Sequence, residues 1–233
     1  MIGTTINVAT VIAGSVIGVA MGNRLPERMR TTVLQGLGII TSVIGLQMAL
    51  QTRNILVVLG AVLAGGILGE ILRLSDALDW LGSSLQSLLS RGGDSHFSEG
   101  FVSASLLFCI GPMAILGSIQ DGLSGDYQLL AVKSTLDGFA AIAFSASLGW
   151  GVGCAAASVL VFQGAITLLA GVFERLLNEA MILEMTATGG IIIVGIGIKL
   201  LNLKEIRLAS FLPALVLAPV IVIVIPLVKG VFA

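Results

Sequence analysis

Apolar residues run along this chain in long blocks, each about 20 residues, with short polar joints between them. At about 1.5 Å of rise per residue such a block crosses a hydrocarbon core about 30 Å thick. The pattern predicts eight spans, at 3–22, 31–50, 54–72, 101–119, 127–149, 153–173, 183–201 and 208–228. The exception is 73–99, between spans three and four. There Leu74, Leu78, Leu81, Leu85 and Leu88 share one helical face, while Asp76, Asp79, Ser83 and Ser87 lie on the other. With Trp80 aboard, this reads as an interfacial amphipathic helix closed by Gly92 and Gly93. Residues 1–233 are therefore expected to form a single all-α transmembrane domain, with short alternating barrel strands excluded.

Composition agrees. Of 233 residues, 56% are hydrophobic and 11% charged, against about 25% charged in a soluble domain. Mean hydropathy is +1.07. The net charge of −1 comes with no basic run, so nucleic acid is not an expected partner. Cys109 and Cys154 both fall in apolar spans and read as packing residues rather than metal ligands. The first apolar block lacks a basic leader, so no cleavable signal peptide is expected.

Charge distribution sets an expected orientation. Arg24, Arg28, Arg30, Arg73, Arg91, Lys199, Lys204 and Arg207 fall on one side of the eight-span arrangement; Arg53, Arg175 and Lys229 fall on the other. The positive-inside rule then places both termini outside and the amphipathic helix in the cytoplasm. A faint internal repeat relates QGLGIITSVIGLQMAL (35–50) to TGGIIIVGIGIKLLNL (188–203) at a constant offset of 153. Span two and span seven run in opposite directions, so the repeat would be inverted, as in many secondary transporters. Gly14, Gly18 and Gly22, like Ala61, Gly65 and Gly69, recur every four positions. Such stripes let helix backbones approach closely. They serve intramolecular packing or, in the alternative reading, a homodimer through Gly14, Gly18 and Gly22.

Two charges fall deep in a span: Lys133 and Asp137, in AVKSTLDGFAAI. A charge at mid-bilayer costs about 2.5–3.5 kcal/mol even on a mild scale. Their spacing of four puts them on one helical face, within mutual reach. They read as a structural salt bridge or as part of an ion or substrate pathway. Pro112, after Gly111, interrupts span four. It has no N–H to donate and clashes with the preceding turn, and Gly111 eases the kink. Counting about 1.5 Å per residue from opposite ends, Pro112 lies about 16 Å in and Asp137 about 15 Å in. The break and the carboxylate should share the midplane, where discontinuous helices build transporter sites. Ser118, Gln120, Asp121 and Asp126 follow the break. With no basic residue between them, they are expected to form an acidic outer mouth attracting cations.

Lesser candidates are Asn7, Gln47 and Gln163, read as interhelical hydrogen bonds. Pro213, Pro219 and Pro226 predict a second kinked helix at span eight, and His96 with Glu99 is far short of a metal site. There is no HExxH, GxSxG or phosphate loop, so neither catalysis nor a cofactor is expected.

GLGIITSVIGLQMAL, GPMAILGSIQDG and KSTLDGFAAIAFSASLGWGV together resemble the bacterial membrane-protein family that includes YqgA and YdfK. The likeness covers nearly the whole chain. It implies a bacterial cytoplasmic membrane and one multi-pass unit, but carries over no mechanism or site. The residues themselves point to an ion-coupled secondary transporter of a small polar or ionic solute. Asp137, Lys133, Gly111, Pro112, Ser118, Gln120, Asp121 and Asp126 are its expected site, with Na+ or H+ as coupling ion. The alternatives are a cation channel and a non-transporting scaffold.

Overall fold

A computed structural model describes residues 1–22, 26–89 and 96–231. Their elements are all helical: α1 (Ile2–Gly22), α2 (Glu27–Ala49), α3 (Ile55–Ile71), α4 (Leu74–Leu89), α5 (Phe97–Cys109), α6 (Pro112–Leu123), α7 (Gln128–Leu148), α8 (Gly151–Leu168), α9 (Ala170–Leu176), α10 (Glu179–Leu200), a 3-10 turn (Leu208–Phe211) and α11 (Pro213–Val231). Five of them, α1, α2, α7, α8 and α10, are long and apolar enough to cross a membrane, and α5 with α6 makes a sixth if that bent pair is one span. At 17 residues, α3 reaches only about 25 Å, short of the core thickness of about 30 Å. Its partner, the apolar stretch Leu208–Val224, is likewise short.

Small residues decide which helices touch. A Cβ added at Gly14, Gly18 or Gly22 would meet the carbonyl oxygens of Gly138, Ile142 and Ala146 at 2.4, 2.3 and 2.2 Å. The constant register shows α1 and α7 running side by side in parallel. The Gly14/Gly18/Gly22 stripe is thus filled within the chain. In α3, Gly65 abuts Ala214 and Gly69 abuts Ser210, an antiparallel register against the 3-10 turn and α11. α2 and α10 cross antiparallel, with Gly38 against Gly197 and Gly45 against Gly190. The main core lies among α1, α5, α7, α8 and α10, around Val11, Phe108, Phe144, Leu148, Val159, Ile193 and Ile196.

The amphipathic segment forms α4 as expected. Trp80 is exposed, while Ser75 at its start is buried against Ser210. The expected stop at Gly92 and Gly93 lies outside the described residues. Span eight differs from expectation. Its bend falls at the 3-10 turn before Pro213, which opens α11 as the first helical residue, where a missing N–H costs nothing. The helix then continues through Pro219 and Pro226.

Candidate functional site

The break predicted at Gly111-Pro112 is real. α5 closes with the Ile110 N–H on the Leu106 carbonyl, and α6 opens from the Gly111 carbonyl, which accepts from Ala114 and Ile115. The two helices meet at 62°. Ile110 is extended, and Gly111 has φ 156° and ψ 153°, backbone that essentially only glycine adopts. Pro112 then sits where proline is tolerated, at the first helical position.

The register of α6 against α7 relates the break to the carboxylate. α6 and α7 are antiparallel neighbours in which Gly117 abuts Leu130. From there Gly111 lies six residues inward and Asp137 seven, about 9–10 Å on each helix. The broken backbone and the carboxylate therefore share one level, and Cys109 is within electrostatic reach of both Lys133 and Asp137.

Lys133 and Asp137 form an ion pair, Nζ donating to Oδ2, and the residues are only 6% and 8% exposed. The Asn7 amide of α1, itself fully buried, donates to the same Oδ2 at 2.9 Å. Burial with two donors on one oxygen is how a carboxylate persists at this depth. The pair is closed on itself. Beside the break the structure holds a different feature, a cavity of about 520 Å³ lined by Cys109, Ile110 and Gly111 with Ile115, Phe162 and Leu215 among others. Its walls are almost wholly apolar, and neither Lys133 nor Asp137 lines it. The break thus opens toward greasy space, while the charges face α1.

The expected acidic mouth is corrected. Only Asp126 and Gln120 are exposed, and Asp126 Oδ1 accepts the Gln128 N–H at 3.0 Å at the start of α7. Asp121 is 4% exposed, because α6 continues past it to Leu123. What draws it inward is Gly122, which lets α6 sit on the Thr167 carbonyl of α8. Asp121 Oδ2 accepts the Gly3 N–H at 3.1 Å and lies 3.0 Å from the Met1 amino group. Ser118, one turn inward, is fully buried, as is Gln163 on α8, whereas Gln47 is exposed. His96 pairs with Glu99 at 3.2 Å, and among the described residues no cluster of ligating side chains could hold a metal ion.

One buried charge escaped the sequence reading. Glu184, 3% exposed at the start of α10, accepts from Thr52 Oγ1 at 2.6 Å and from the Arg53 and Asn54 backbone N–H groups at 2.8 and 3.0 Å. It ties down the joint before α3. Its position near a span end made it look like an ordinary boundary residue.

Comparison with known proteins follows the same outline. The family model described as "Protein of unknown function (DUF554)" matches residues 2–223. The chain is similar to "Uncharacterized membrane protein YdfK" of Bacillus subtilis (strain 168), 31% identical over 229 residues that cover 97% of each chain. It is also similar to "Uncharacterized protein YqgA" of Escherichia coli (strain K12), 31% identical over 222 residues that cover 94% of each chain. No solved structure matches.

Proposed function

The chain belongs to the DUF554 family, and from that premise we propose that it is an ion-coupled secondary transporter of a small polar or ionic solute. One observation carries the reading: a membrane-depth helix is broken at the level of a buried Lys133–Asp137 pair. In this reading Asp137 takes the coupling ion or proton and Lys133 is its exchangeable counter-charge. The closed pair is then an occluded arrangement, in which a solute or ion must displace one partner to bind.

Architecture supports the same view. α2 and α10 cross antiparallel through Gly38–Gly197 and Gly45–Gly190, the relative direction an inverted repeat requires. α3 and the turn before α11 meet antiparallel as the next pair of such a repeat. Counting α3 and α11 as spans, and α5 with α6 as one, gives eight crossings around an inverted repeat in the bacterial cytoplasmic membrane.

The test is ion and solute uptake into proteoliposomes. Asp137→Asn and Lys133→Met are each expected to lower coupled uptake by at least about tenfold, since each leaves its partner without a counter-charge. Unchanged uptake in both would end the assignment. The sealing of the pair favours a second reading, a scaffold whose bridge merely fixes helix register. Exchanging the two residues, Lys133→Asp with Asp137→Lys, separates the readings: a scaffold keeps its stability and has no flux to lose, whereas a transporter loses flux.

A further inference from the structure

Orphaned polar atoms gather just outward of the ion pair, toward Met1. Three helices meet there. On α1, Gly3 donates to Asp121 of α6 and Thr4 Oγ1 lies 3.4 Å from Thr167 Oγ1 of α8. On α6, Gly122 abuts the Thr167 carbonyl. From each contact, one helical turn inward leads to Asn7 on α1, Ser118 on α6 and Gln163 on α8. All three are fully buried. Among the described residues, Asn7 Oδ1, Ser118 Oγ, and both Gln163 Oε1 and Nε2 have no hydrogen-bond partner, and neither does Asp121 Oδ1.

Buried polar atoms are ordinarily paired, so several orphans at one place call for a cause. A buried serine hydroxyl can turn back onto the carbonyl four residues earlier and satisfy itself. Ser134 does this with Leu130. A carboxamide or carboxylate oxygen can only accept and has no such recourse, so that local remedy is closed to the oxygens of Asn7, Gln163 and Asp121. The unmet atoms are mostly acceptors: three obligate acceptor oxygens and one hydroxyl stand against the single amide donor of Gln163. A ligand that suits them is positive. It is also hard, because every acceptor is oxygen, and monovalent, because the one carboxylate already faces the Met1 amino group at 3.0 Å and the other groups are neutral, where Ca2+ and Mg2+ sites ask for more charge or more water.

We propose that Asn7, Ser118, Asp121 and Gln163 form a seat for a monovalent hard cation, Na+, between α1, α6 and α8. It adds to the transport reading a Na+ place beside the one at Asp137, and rests on that reading for its purpose only. Asn7 belongs to both sites, its amide nitrogen donating to Asp137 and its buried oxygen left without a partner. Occupancy of the seat therefore bears on the ion pair through one side chain.

The experiment measures equilibrium binding without flux. Purified full-length protein in detergent is unfolded thermally across a NaCl series, with choline chloride holding ionic strength constant and KCl as a parallel arm. The expected result is a saturable rise in unfolding temperature with Na+, stronger than with K+. Asp121→Asn, Gln163→Leu and Ser118→Ala should each weaken the apparent Na+ affinity by about tenfold or more. Gly36→Ala, on α2 with open space around it and outside the three helices of the seat, should leave the saturable Na+ response in place. Ser118→Ala guards against misfolding, because it removes only one oxygen from the seat. Equal responses to Na+, K+ and choline would overturn the proposal, as would an unaltered Na+ response in all three seat variants. Failure here leaves uptake unaffected, and failure of uptake leaves this binding result standing.

Discussion

Asp137 and Lys133 are held by two different kinds of bond, and the difference predicts how each fails. Removing one partner of a buried pair strands the other charge, a loss of about 3–5 kcal/mol. Lys133→Met and Asp137→Asn alone should each lower unfolding stability by about that much. The double variant has no stranded charge and should lose less than the two single losses added together. Unfolding measured in mixed micelles for the three variants gives the answer, and strictly additive losses would mean that the ions do not stabilise one another. Asn7→Ala strands no charge, and belongs lower on the same scale, at about 1–2 kcal/mol.

The pair itself was legible in the sequence, because opposite charges four residues apart inside an apolar block can hardly avoid meeting on one helical face. Its partner was legible only in kind. Asn7 stands 130 residues away, and no local pattern says which helix it will face. Asp121 misled for the opposite reason. Followed by two nearby glycines and Asp126, it looked like part of an exposed connector, yet Gly122 is the very residue that brings α6 against α8 and buries the carboxylate.

Helices in this chain meet wherever a glycine allows backbone contact, and that is a testable property of the elements. At Gly14 an added Cβ would lie 2.4 Å from the Gly138 carbonyl oxygen, while at Gly36 it would meet nothing within 4 Å. Gly14→Ala must push α1 off α7 along a parallel register that also supports Asn7 and Asp137. Gly36→Ala has open space and gains the helix propensity of alanine, about 1 kcal/mol in favourable cases. The expected outcome is a marked loss of thermal stability for the first and none, or a small gain, for the second. Equal behaviour would show that the α1–α7 contact yields freely.

Element existence was largely readable, since apolar blocks of spanning length and the Gly111-Pro112 signal are local. The kink at span eight was not located, because three prolines offer three places. The structure uses Pro213, where the helix begins, and accommodates the others within α11. The apolar cavity beside the break left no local signature either, being assembled from α5, α6, α8, α9, α10 and α11.

At the scale of the whole molecule, the eight-crossing count around the proposed inverted repeat puts the α6–α7 joint and the joint between α10 and the 3-10 turn on opposite membrane faces. The joint between α6 and α7 carries Asp126, and the joint between α10 and the 3-10 turn carries Glu205; both are exposed. An odd number of crossings separates them if α7, α8 with α9, and α10 each cross once. On the orientation expected from the lysine and arginine distribution, the first would lie outside and the second in the cytoplasm. Single cysteines test this directly in a background where Cys109 and Cys154 are replaced by alanine. Asp126→Cys in intact cells should react with a membrane-impermeant maleimide, and Glu205→Cys should react only after the membrane is opened. Both reacting from outside would break the parity on which the repeat depends, since α7 to α10 would then cross an even number of times. Reversed labelling would keep the repeat but turn the molecule over. The Met1 end, where Gly3 meets Asp121 and the proposed cation seat lies one turn inward, would then receive its ion from the cytoplasm.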